Sequence, residues 1–147
     1  MQTLKYGSDL EDKIAILNLN ENRVSELKRL KLKDLPFDPT DDAIYIKKTI
    51  NSDKIVGVYR PLHAETWLGM LDSQYCHKTR NFQEFETKGL AAFKEFLSHP
   101  SEEDLPIVIQ YNNEYYIAGE GLHRLTIAKC IGNIEATVIV EVITFGR

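Results

Sequence analysis

The residues best suited to chemistry in this chain are consecutive: Gly119-Glu120-Gly121-Leu122-His123-Arg124. Glycines let a backbone turn sharply and approach a ligand closely. The first turn of a following helix directs unbonded N–H groups outward, where they favour an anion. Arg124 adds a fork of donors matched to phosphate or carboxylate, and His123 can exchange a proton near neutral pH. The same corner can also be a plain turn in which His123 and Arg124 pair with Glu120 or with surface carboxylates. The elements around it must decide.

A strand has to deliver the chain to this corner and a helix has to leave it. Residues 114–118 read as the strand, and Leu122–Ile131 as the helix, stopped by Gly132. Before them, Asn112-Asn113 is a tight-hairpin signal preceded by the apolar run Leu105-Pro106-Ile107-Val108-Ile109. After them, the Val- and Ile-rich residues 134–143 predict a closing strand. Upstream, Asn81 with Glu84 predicts a helix cap. Phe82, Phe85, Phe93, Phe96 and Leu97 then form an apolar stripe expected to be core, with Gly89 marking a bend or a join between two short helices. Residues 73–80 read as a polar loop. His63, Cys76 and His77 within reach of it fall short of the four ligands of a structural zinc site.

Further upstream, Ile44 and Ile46, then Ile55, Val56 and Val58 after Asn51-Ser52-Asp53, predict a β-hairpin over residues 44–59. Pro61 suits a helix start, with Leu62, Trp67, Leu68 and Leu71 on one side. Ser8-Asp9-Leu10-Glu11 reads as a capping box, followed by Leu10, Ile14 and Leu17 at helical spacing. A second helix carries Val24, Leu27 and Leu30. Its cations Arg23, Lys28, Arg29, Lys31 and Lys33 are balanced by Glu21, Glu26 and Asp34, which predicts a solvated face.

With 147 residues, 43% hydrophobic and 27% charged, the chain has the make-up of one soluble domain. A net charge of -4 argues against extensive binding to DNA phosphates. Two cysteines are too few for a disulfide framework and no apolar run approaches membrane-spanning length, so a cytoplasmic setting is expected.

Residues 90–142, in the order helix, Leu105-Pro106-Ile107-Val108-Ile109 strand, hairpin, Gly119-Glu120-Gly121-Leu122-His123-Arg124, helix, Gly132 and last strand, resemble the ParB/sulfiredoxin superfamily domain. The resemblance implies a site for ATP, ADP or CTP with magnesium. Carried over by position, Gly119, Gly121 and Leu122 would frame the phosphates, and His123 and Arg124 would bind or neutralise them. Arg80, with Lys78 and Thr79 beside it, would clamp from an upstream loop. Glu120 would orient magnesium or activate an acceptor, making Glu120, His123 and Arg124 the catalytic candidates. Leu122 stands where sulfiredoxins carry their cysteine, so sulfiredoxin chemistry is not expected. The Glu-Asn-x-x-Arg motif and helix-turn-helix of the partition proteins do not follow.

Two function classes result: a phosphotransfer or nucleotide-hydrolysing enzyme, or a non-catalytic module that binds nucleotide, DNA or a protein partner. The expected architecture is α+β, with residues 41–147 forming a small mixed sheet flanked by helices. Residues 1–40 are expected to be a helical extension serving as a cap or a homodimer surface.

Overall fold

The computed structural model describes residues 10–36, 44–59, 64–72, 79–118 and 121–142. Its elements are helices α1 (Leu10–Leu17) and α2 (Glu21–Arg29), strands β1 (Ile44–Asn51) and β2 (Ile55–Val58), and helices α3 (Trp67–Asp72) and α4 (Thr79–Ser98). Strands β3 (Ile107–Tyr111) and β4 (Glu114–Ile117), helix α5 (Leu122–Ile131) and strand β5 (Glu135–Val142) complete them. The fold is α+β: a five-stranded mixed sheet in the order β1-β5-β3-β4-β2, with helices packed on it.

The second half of the chain forms as its local chemistry dictates. Asn112 and Asn113 both take positive φ, 55° and 63°, and close a two-residue hairpin between β3 and β4. That is the backbone twist such hairpins need. β5 then returns parallel to β3, Ile107 beside Ile139. Val138 and Val140 of β5, Val108 of β3 and Ile117 of β4 point into one main core with Trp67, Phe82 and Leu125. A smaller cluster around Ile109 and Tyr116 lies apart from it.

The expected hairpin over residues 44–59 is not formed. β1 and β2 lie at opposite edges of the sheet, β1 antiparallel to β5 and β2 parallel to β4. The turn residues are a 3-10 turn, Ser52–Lys54, in which Asn51 Oδ1 accepts from the Asp53 amide. Buried Ser52 fixes this turn: its hydroxyl donates to the Ala128 carbonyl and accepts from the Ile134 amide, each at 3.1 Å. Four residues from Asn51 to Ile55 can span at most ~14 Å, whereas four strand spacings across a flat sheet are ~19 Å. The sheet therefore coils. In keeping with this, the Lys48 ammonium of β1 lies 5.7 Å from the ring centroid of Tyr115 on β4, three places along the sheet.

The N-terminal helices join the same core through Leu17 and Leu27. Asn20 caps α2, accepting from the Arg23 amide at 2.8 Å. Two cations of these helices turn inward. Lys13 of α1 is fully buried, donates to the Leu71 carbonyl at the end of α3 and lies over the Phe82 ring. Arg23 turns inward from its supposedly solvated face and donates from Nε to the Cys130 carbonyl at 2.8 Å and from Nη2 to the Lys129 carbonyl at 2.6 Å. It thereby supplies the last turn of α5 with donors that a helix end otherwise lacks. Ser8 and Asp9 of the expected capping box, and Pro61, Leu62 and His63, lie outside the described residues.

Candidate functional site

Helix α5 is held firmly at one end and presents the other. Its last carbonyls take Arg23 and Ser52, and the Gly132 amide closes it on Ala128. At its start Gly121 is the cap residue, left-handed at φ 92°, and as a glycine it brings no capping side chain of its own. A Cβ there would come within 2.5 Å of the Pro106 Cβ. Gly121 is thus required by the corner itself: positive φ and close packing on the residue that opens β3. The cap residue therefore adds no side-chain acceptor to the positive end of the α5 dipole.

Opposite this end lies a break in α4. Gly89 sits at φ 87°, ψ 179° inside the helix, so the bend expected from sequence is present. Phe82 and Phe85 ahead of the break and Leu97 behind it are buried, while Phe96 is 43% exposed and not core as expected. The helix starts at Thr79 rather than being capped by Asn81, which falls within its first turn, so Thr79 and Arg80 belong to a helix and not a loop.

Between the break and α5 is a cavity of about 290 Å³. Phe85, Phe93 and Phe96 supply its apolar surface, with Gly89 at its wall. Phe85 and Phe93 meet edge to face, centroids 5.4 Å apart. Arg124, in the first turn of α5, lines the same cavity and holds its guanidinium carbon 5.4 Å from the Phe96 ring centroid. Lys88 adds a second cation, and Glu84 and Glu95 add two carboxylates. Aromatic surface beside a guanidinium and a helix N-terminus suits a ligand with a flat apolar part and an anionic part. The larger hollow near β1, about 460 Å³, is lined instead by Lys47, Lys48, His99 and small polar residues. Its Lys47 is tied to Glu102 at 2.6 Å.

Of the residues singled out in the sequence, Arg124 lines the cavity and Gly121 shapes the corner beside it. Leu122 is buried in the main core. His123 is half-buried and is not among the described lining residues. Lys78, Gly119 and Glu120, and the side chains of Thr79 and Arg80, lie outside what is described. Lys88, Glu84 and Glu95 were not anticipated; the signal that could have found them is Gly89, which interrupts the stripe and opens space next to it. Among the described residues, no group of three His, Cys, Asp or Glu side chains could hold a metal ion. No described helix is long and apolar enough to cross a membrane. No family model, curated protein or solved structure matches the chain.

Proposed function

We propose that this chain binds a nucleotide in the cavity between α4 and α5, the base against Phe85, Phe93 and Phe96 and the phosphates toward Arg124 and the start of α5. The observation that carries this reading is Arg124: it brings a guanidinium from the first turn of a well-anchored helix that starts at a glycine to a cavity walled by aromatic rings. The cavity is at the small end of ligand sites, which commonly enclose ~300–1,000 Å³. It suits the base and its sugar, with the phosphates at the mouth. The order of elements from α4 to β5 fits the ParB/sulfiredoxin resemblance and supports the same reading.

Phosphotransfer or hydrolysis is the extension of this reading, with Glu120 and His123 as the groups to activate an acceptor or water. A magnesium ion accompanying the nucleotide would be held largely by phosphate oxygens and water. A module that binds without turnover is the alternative, and DNA or a protein would then be its downstream partner.

Calorimetric titration with ATP, ADP and CTP, with and without Mg²⁺, tests the binding. Arg124→Ala should weaken the best ligand by about 1.5 kcal/mol or more, the worth of a charged hydrogen bond. No binding by the wild type, or unchanged affinity in a folded Arg124→Ala variant, overturns the proposal. Product formed from labelled nucleotide separates the enzyme from the binding module.

A further inference from the structure

Among the described residues β1 is an outer strand, bonded to β5 on one side and to no described strand on the other. Its first three residues are large, apolar and exposed: Ile44 by 55%, Tyr45 by 61% and Ile46 by 42%. An open edge carrying such side chains is a template for another strand. We propose that this edge pairs with β1 of a second copy of the chain, antiparallel about a twofold axis through Ile46, joining the two sheets into one.

Charge selects both the occupant and the register. With Ile46 opposite itself, Tyr45 faces Lys47 of the partner subunit and Ile44 faces Lys48 of the partner subunit, so no lysine opposes a lysine. A twofold axis between Lys47 and Lys48, or through Lys47, would set lysine against lysine, which destabilises cross-strand pairs. An axis through Tyr45 shortens the pairing by two positions. The Ile46 register also satisfies Glu141. That residue lies opposite Tyr45 on β5, on the same face of the sheet. Glu141 makes no ion pair among the described residues, and burial pushes its carboxyl above the usual range. Two strand spacings, about 10 Å, separate it from the position that the partner's Lys47 takes across Tyr45, and the two side chains can meet over that ring. Lys47 is available for this: its present partner Glu102 forms an exposed pair, side chains 52% and 75% exposed, of the kind that holds a side chain weakly. Because the interface is twofold, each contact occurs twice.

Sedimentation over a concentration series should give a species of twice the 16.9 kDa chain mass. Lys47→Glu and Glu141→Lys should each raise the dimer dissociation constant on the order of tenfold, since each turns two attractions into repulsions. The double exchange should restore the wild-type value. In a Cys76→Ser background, Ile46→Cys should oxidise to a disulfide-linked dimer, because self-opposed Cα atoms lie within bridging distance, and Tyr45→Cys should not. Circular dichroism checks that each variant is folded. A chain that stays monomeric at its highest soluble concentration overturns the proposal. So does a dimer indifferent to both charge reversals, or one cross-linked through Tyr45→Cys rather than Ile46→Cys. None of these outcomes depends on nucleotide.

Discussion

Replacing Gly89 by alanine isolates the backbone contribution to the cavity. A Cβ added at Gly89 meets nothing within 4 Å, so steric conflict with neighbours contributes nothing. What remains is conformation: at φ 87° and ψ 179° an L-residue sits in territory nearly reserved for glycine, at a cost of about 1–3 kcal/mol. Alanine recovers about 0.4–1 kcal/mol by restricting the unfolded chain. The alternative, straightening α4 into one regular helix, would pull Phe82 and Phe85 or Leu97 out of the core, where they are 0%, 8% and 1% exposed. Removing one large side chain from a core costs about 2–5 kcal/mol, so the bend should persist under strain. The net loss is then about 1–2 kcal/mol, or about 2–8 °C in melting temperature for a chain of this size. Calorimetric melting of wild type and variant measures it. A variant as stable as wild type or more so would refute the reasoning, because it would mean that α4 straightens freely and that packing does not impose the bend.

Gly121→Ala should be worse, about 3 kcal/mol or more, because positive φ is compounded by a Cβ placed 2.5 Å from Pro106; urea unfolding checks it, and a loss below that of Gly89→Ala would contradict the packing account of the corner. Arg23→Ala should cost about 2 kcal/mol by removing the donors to the Lys129 and Cys130 carbonyls, and hydrogen exchange should rise most in the last turn of α5. Burial holds the Lys129 ammonium below the usual lysine range. Its folded pKa is depressed, so the unfolded chain binds more protons between that value and the ordinary one of 10.5. Wild-type stability relative to Lys129→Met should therefore rise as pH increases through that window, and fall as pH drops through the folded pKa; a flat difference in pH-dependent melts would contradict the desolvation.

Where structure follows from neighbours in sequence, it was legible. Asn112-Asn113 can hardly be anything but a tight turn, and α5 ends where Gly132 ends it. Asn51-Ser52-Asp53 was misleading because an Asn side chain accepting from the amide two residues on serves a hairpin and a 3-10 turn equally well. What selects between them is a set of contacts about 80 residues away, Ser52 with Ile134 and Asn133 with Asp53. Arg23 was opaque for the same reason: a cation on a polar helix face looks alike whether it meets water or a carbonyl 107 residues later. Lys13 broke the rule that charge stays outside by finding the Leu71 carbonyl and an aromatic ring. At the candidate site Arg124 and Gly121 were visible from their spacing. The cavity was not, since an aromatic stripe looks the same whether it closes on itself or lines a space, and only the break at Gly89 told them apart.

Backbone and side-chain NMR during titration with ATP, ADP or CTP tests the central claim most directly. The account predicts that shifts concentrate on Gly89, Phe93, Phe96, Leu122, His123 and Arg124, with the β1 edge at Ile44 to Ile46 unmoved. Saturable shifts that avoid Arg124 and the Gly89 break, or no shifts with any of the three nucleotides, would contradict it.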